Sequence, residues 1–380
     1  MKNERIDAVV IGGGQAGLAM GYYLSQQKKD FVILDAHGHA GDSWRRRWDS
    51  LRLFTPTGFN SLPGMPFPKS ADRFPTKDQM ADYLESYAGH FQLPILFNTK
   101  VEEVARDDDY YLIAANTLHL KTRHVIVATG AHPTPHVPAF ASQLDPAIHQ
   151  LHSAGYRNPS QLRDGAVLVV GAGNSGLEIA LDLAPRRSVW LAGRDTGFIP
   201  ANYGNFSYEL GVILFKALMQ RLTVDTSPGR WIVQRAREFT GGHPVVGVAP
   251  EDLVRAGIQR VPRVMGVDHG RPVLEDRNVL DVPNIIWSTG FMRDYSWIKL
   301  PVFNAKGELI HHRGAVLAEP GLYFVGLPYQ SSVLSGLVAG AGADAKYIAK
   351  QINARARAID LARGGKANRL SKQVSSRRES

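Results

Sequence analysis

Cysteine is absent from this 380-residue chain. That excludes disulfide staples, Cys-ligated metals, iron–sulfur clusters and redox-active dithiols. Long apolar runs are missing too, so nothing reads as a membrane span. Ile6 to Leu24 superficially resembles a signal segment, but Asp7 and its clustered glycines belong to a tight turn and no small-residue cleavage pattern follows. The expectation is a soluble, cytoplasmic protein without stable membrane insertion. Charge is sparse, and the formal excess of +9 is uneven. From Asn353 onward eight basic residues (Arg355, Arg357, Arg363, Lys366, Arg369, Lys372, Arg377, Arg378) face only Asp360 and Glu379, about two-thirds of the excess. Gly364 to Ser380 is polar and lacks aromatics, which predicts a disordered, solubilising tail and no nucleic-acid partner.

The chain does have two copies of one phosphate-binding device. Ala8-Val9-Val10-Ile11 leads into Gly12-Gly13-Gly14-Gln15-Ala16-Gly17 and then a helix-period segment, Leu18 to Gln27. Gly12 permits the turn, Gly14 lets backbone approach a pyrophosphate, and Gly17 lets the helix pack closely. The helix N-terminus adds N–H groups and positive potential. The next apolar run, Phe31 to Leu34, ends at Asp35, where a carboxylate can accept both ribose hydroxyls.

The second copy runs from Val167 through Gly171-Ala172-Gly173-Asn174-Ser175-Gly176 into a helix and a strand ending at Ala192. Gly193-Arg194 stands where the first copy has Asp35. A carboxylate there would repel a 2′-phosphate, whereas a guanidinium pairs with it, so this site should prefer NADP. Arg186 and Arg187 read as a solvated loop. Two different dinucleotides in one chain suggest FAD and NADPH brought face to face, and the missing cysteines remove the disulfide reductases.

Between and after these turns the chain offers further candidates. Trp44 and Trp48 are spaced to share a helix face. The Pro-rich stretch through Pro66-Phe67-Pro68 reads as a wall or lid of the flavin and substrate pocket, or as a packed connection. Thr76 can cap a helix over Asp78 to Phe91. Thr129-Gly130 and Thr289-Gly290 end matching strands at the carboxyl side, where open α/β sheets bind ligands. Phe206 to Leu222 is helical and apolar on several sides (Leu210, Val212, Ile213, Leu214, Phe215, Leu218, Met219), suited to a domain interface, a substrate tunnel or a membrane surface. A Gly/Ala-rich helix is predicted from Val333 to Gln351, capped by Ser331 or Ser332, its N-terminus aimed at the flavin.

The fold class expected is α/β, with two Rossmann-like, three-layer ββα dinucleotide-binding domains, the NADP domain inserted in the FAD domain. Its divisions are 1–133 (FAD, first part, with the linker prolines Pro133, Pro135 and Pro138), 134–290 (NADP, with a helical excursion at about 200–250), 291–352 (FAD, return) and 353–380 (tail).

The set resembles the class B flavin monooxygenases, including the bacterial and plant YUCCA-type groups. Its carriers are Gly12 to Gly17, Gly41 with Trp44 and Trp48, Leu51 to Pro68, Ala128-Thr129-Gly130, His152 with Tyr156, Gly171 to Gly176, Ser288-Thr289-Gly290 and Gly321 to Gly326. Only the His152–Tyr156 half of the family's inter-site hallmark matches. Phe54 takes the place where many members carry an Asn beside the flavin, which removes an amide donor. The resemblance implies FAD contacts at Gly12, Gly14, Gln15, Ala16, Gly17, Asp35, Ala36, Ser43, Trp44, Trp48, Val101, Thr129, Gly130, Gly326 and Ser332. It implies NADP contacts at Gly171, Gly173, Asn174, Ser175, Gly176, Arg194, Thr289 and Gly290, with no metal. Phe54 and Asn174 are the candidates nearest the chemistry, Asn174 either toward the nicotinamide half or in a structural bond. The implied activity is NADPH-driven transfer of one oxygen atom from O2, through a flavin C4a-peroxide, to a small organic substrate. An NADPH-dependent flavin reductase or oxidase, and a non-catalytic nucleotide-binding accessory protein, stay open as alternatives. The oligomeric state is not legible.

Overall fold

The structure, a computed structural model, describes residues 4–69, 73–130, 134–195, 197–199, 206–238 and 245–376. The chain opens with β1 (Glu4–Ile11), α1 (Gln15–Gln26) and β2 (Phe31–Leu34). A single-turn α2 (Asp42–Arg45), α3 (Lys77–His90) and β3 (Ile95–Leu96) follow, then β4 (Val101–Asp107), β5 (Tyr110–Ala115) and β6 (Leu118–Val127). After β7 (Thr134–Pro135) and β8 (His149–His152) come β9 (Val167–Val170), α4 (Asn174–Leu183) and β10 (Val189–Ala192). Next are β11 (Phe198–Ile199), α5 (Phe206–Arg221), α6 (Ser227–Glu238), β12 (Val245–Val246), α7 (Pro250–Arg255) and β13 (Gln259–Val261). The hairpin β14 (Val264–Asp268) and β15 (Arg271–Leu274), then β16 (Asn284–Trp287), β17 (Phe291–Met292), β18 (Leu322–Phe324) and α8 (Val338–Ser376) complete it.

Two sheets carry the fold, the first parallel at its centre and the second parallel throughout. In the first, β3-β2-β1-β6 run parallel and β18 adds to the carboxyl half of β6. The amino half of β6 pairs antiparallel with β5, which pairs with β4. In the second, β13-β10-β9-β16-β8 are all parallel. The strand positions correspond one to one, but β18 comes late in the chain and β8 comes before its own sheet's first turn. Strands β2, β9 and β16 are buried at every residue, as continuous Val/Ile/Leu runs covered on both faces must be. One apolar cluster joins the units, holding Leu18, Met20 and Trp48 together with Tyr156, Leu177 and Ile179.

Several local expectations change. Helix α1 starts at Gln15, not Leu18, because Gly14 already caps it. Trp44 and Trp48 do not share a helix face: α2 ends at Arg45, and Trp48 drops into the core at 3% exposure. The last helix begins at Val338, since the Ser335 hydroxyl accepts from the Ser331 and Ser332 amides and holds that stretch as a turn. Ser331 and Ser332 therefore do not cap it. The basic tail is helical through Ser376, as extension of a packed helix avoids the nucleation cost; residues 377–380 lie outside the described residues, as does Pro133. Arg187 is not simply solvated, for its guanidinium donates to the carbonyls of Pro159, Leu162, Arg163 and Gly165.

The Pro-rich stretch is fastened to α3. Tyr83 Oη accepts from Leu62 N–H and donates to Met65 O, and Tyr87 Oη donates to Pro63 O. Helix α5 packs along one edge, with Met219 buried near Phe59 and Leu334 and Lys216 donating to Phe59 O. Leu214, Phe215 and Leu218 stay exposed. Among the described residues no helix is long and apolar enough to cross a membrane, and no three His, Asp or Glu gather to hold a metal.

Candidate active site

Each sheet opens its carboxyl edge with the same turn. Gly12 has φ +106° and Gly171 φ +110°, and a Cβ at either would stand 2.6 Å from Ala128 O or 2.2 Å from Ser288 O. Only glycine combines that backbone with that approach. The helix then returns so closely that a Cβ on Gly17 would lie 1.8 Å from Gly12 O, and one on Gly176 1.8 Å from Gly171 O. Gly14 and Gly173, the N-caps of α1 and α4, have nothing within 4 Å of where a Cβ would stand. Each turn thus presents a bare helix N-terminus to open space, a cradle for phosphate.

The strand ends differ as their residues require. Asp35 is buried at the end of β2, and its Oδ2 accepts from Gly13 N–H at 2.5 Å, while Oδ1 accepts from His37 N–H at 2.7 Å and lies 3.1 Å from His37 Nδ1. The carboxylate therefore braces the turn beside it, keeping the second lone pair of Oδ2 for a further donor. At the matching place Gly193 lies against Ala172, and Arg194 is exposed.

The His152–Tyr156 pair is a clamp. His152 Nδ1 accepts from Ala154 N–H, so Nε2 carries the proton and donates to Gly290 O at 3.0 Å, tying β8 to the end of β16. Burial pushes this imidazole below its ordinary pKa, against the Gly290 bond. Tyr156 is fully buried and donates to Asp182 Oδ2 at 2.6 Å, anchoring α4. Tyr156→Phe should cost about 1.5–3 kcal/mol, the usual worth of a hydrogen bond to a charged group, read as a lowered urea midpoint with an unchanged slope.

Other candidates fall in varied settings. Gly326 faces α1, where a Cβ would be 2.8 Å from that of Ala16. Trp44 Nε1 donates to Gln15 Oε1 (3.4 Å), which puts α2 beside the first turn. Thr129 and Gly130 follow β6, with Thr129 exposed. Thr289 Oγ1 donates to His136 O. Asn174 Oδ1 accepts from Val246 N–H at 3.0 Å, the structural bond of its two readings. Val101 opens β4 and is buried, Ala36 and Ser43 are exposed, Ser175 and Phe54 are half-buried, and Ser332 is buried with its Oγ accepting from Leu334 N–H.

Sequence reasoning passed over two carboxyls. Glu178 lies between Asn174 and Asp182 on one stripe of α4, and burial raises its pKa to about 8. Asp344 on α8 is 1% exposed, and burial raises it to about 6 against the hydroxyls of Ser331 and Ser335. Their signal would have been an acid at an inward position of an amphipathic helix.

Paired glycine turns at the carboxyl edges of two parallel sheets define a two-dinucleotide oxidoreductase. The family model described as pyridine nucleotide-disulphide oxidoreductase matches residues 9–214. A relative from Geobacillus kaustophilus named an uncharacterized oxidoreductase, CzcO-like, is 41% identical over 91% of this chain and 98% of its own. The probable indole-3-pyruvate monooxygenase YUCCA7 of Arabidopsis thaliana is 29% identical over 90% of this chain and 86% of its own. The solved flavin-containing monooxygenase from Stenotrophomonas maltophilia superposes with a TM-score of 0.76 at 26% identity, over 93% of this chain and 99% of that one. The chain belongs to the class B flavin monooxygenase family and is an oxidoreductase.

Proposed function

We propose that the protein is an FAD- and NADPH-dependent monooxygenase acting on a small organic substrate. The observation that carries this reading is the unlike pair of strand ends beside two like turns: a carboxylate at Asp35, a guanidinium at Arg194. The first favours an unsubstituted ribose and the second a 2′-phosphate. The open faces of Gly14 and Gly173 fit a pyrophosphate at each helix N-terminus. FAD would rest on Gly12 to Gly17 and Asp35, NADPH on Gly171 to Gly176 and Arg194. When bound, the flavin supplies the hydride acceptor and the oxygen chemistry. The chain's own part is to bind, orient and exclude water: the glycine turns would hold the phosphates, the His152–Gly290 bond fixes the edge of the second sheet, and the Trp44–Gln15 bond fixes α2 beside the first turn.

The test is stoichiometry: NADPH consumed should equal oxygenated product formed across an amine, sulfide and ketone panel, and no product with any of them rejects the reading. Arg194→Asp should reduce the preference for NADPH over NADH by roughly 10–100-fold in kcat/KM, and an unchanged ratio removes Arg194 from the site. One observation favours a reductase or oxidase as the second reading. The amide within the Phe54 loop, Asn60, is fully committed, donating to Thr55 O and Pro56 O and accepting from Thr55 Oγ1. Peroxide formed one for one with NADPH would establish that alternative.

A further inference from the structure

Arg47 is half-buried in the segment that bridges the two carboxyl edges. Three residues before it, Trp44 bonds Gln15 at the first turn. Its own guanidinium carbon sits 5.8 Å from the centroid of Phe291, the residue following Gly290 at the end of the second sheet. His152 stacks edge-on against the same ring at 5.0 Å. Among the described residues the Arg47 guanidinium has no hydrogen bond and no ion pair. The acid nearest in sequence, Asp49, accepts from Asn158 Nδ2 at 2.7 Å. The neighbouring cation, Arg157, spends its guanidinium on Ala154 O and Tyr156 O. Burial, and then the charge of Arg157, push Arg47 below the usual guanidinium range.

A partly desolvated cation beside a second cation, with a ring face but no hydrogen-bond acceptor among the described residues, is under-compensated. Chains keep such a group where a ligand completes it. We propose that Arg47 is the anion-holding residue of the inter-domain cleft, binding phosphate or carboxylate oxygens of a ligand that lies between the two glycine turns. A guanidinium takes either anion through two parallel N–H donors. The anion has two possible sources within one chemistry: the pyrophosphate of the nicotinamide dinucleotide, or a carboxylate on the oxygen acceptor. This inference rests on the cleft being the cofactor and substrate site, but its test needs no turnover.

Arg47→Gln and Arg47→Lys are compared with the wild-type holoprotein by isothermal titration with NADP+, with phenylacetate as carboxylate probe and with benzyl alcohol as neutral control. The expected result is a loss of tenfold or more in affinity for one anionic probe in Arg47→Gln, partial recovery in Arg47→Lys, and no change for the alcohol. Weakened NADP+ binding assigns the anion to the dinucleotide, and weakened phenylacetate binding assigns it to the substrate. The melting temperature of unliganded Arg47→Gln should hold or rise, because an under-compensated charge has gone. Wild-type affinities retained in the glutamine variant for both probes, no anion binding by wild type, or affinity lost together with a lowered melting temperature would each overturn the proposal. Failure of the monooxygenase reading is read separately, from product stoichiometry.

Discussion

Gly176→Ala is expected to leave a yellow, flavin-loaded protein whose affinity for NADPH has fallen by roughly 10–100-fold, the range set by overpacking costs of 1–3 kcal/mol. The added methyl would stand 1.8 Å from Gly171 O, and the Gly171 backbone is pinned by its own N–H, which donates to Ala192 O at 2.7 Å. Helix α4 must therefore lift from the turn, and its amide groups lose their aim at the phosphates. The damage is greatest at the second turn, since β9 and β16 pair on without α4, and it reaches the first unit only through the apolar cluster that holds Leu177 and Ile179. Flavin absorbance with NADPH titration checks both halves. Bleached protein, or NADPH affinity within twofold of wild type, contradicts the assignment of the second turn. The mirror substitution, Gly17→Ala, places its methyl 1.8 Å from Gly12 O and should cost the flavin instead.

Asp344→Asn is expected to raise the melting temperature by several degrees at pH 8 and to change it little at pH 4. The folded-state pKa of Asp344, about 6, lies above its ordinary value of 3.8. A carboxyl raised in this way favours the fold while protonated. Its contribution is complete below about 3.8 and is lost as pH climbs through about 6. Above that the native state carries an ionised carboxylate whose Oδ2 has no partner among the described residues, at a cost of about 3 kcal/mol. Arg313 offsets part of it, but that guanidinium is drawn to Asp225 at 2.6 Å. Asparagine keeps the shape and removes the charge, so melting temperatures from pH 4 to 8 should show wild type declining more steeply than the variant. Parallel curves would refute the buried charge.

The two turns were legible because their geometry admits one residue type: nothing but glycine serves at 12, 17, 171 and 176, so spacing alone reveals them. The buried strands were legible from continuous apolar runs. What escaped depends on partners distant in the chain. Whether Ser331 and Ser332 cap a helix is decided by Ser335, whose hydroxyl takes both amides first. Trp48 looks like a helix neighbour of Trp44 until α2 stops after a single turn. Arg187 reads as a surface charge until the carbonyls of 159–165 fold around it. That the Arg47 guanidinium lacks an acceptor among the described residues is likewise a tertiary fact, since Asp49, two residues away, would pair with it in any purely local reading.

The different chain positions of the two fifth strands bear on how the chain is made. Strand β8 emerges from the ribosome before β9, so the second sheet has all its members once β16 is out. The first sheet, begun earliest, waits for β18, some two hundred residues after β6. A nascent chain paused near residue 290 would thus carry a complete second sheet behind a first sheet still missing a strand beside β6, and the earlier-translated sheet would be the last to close.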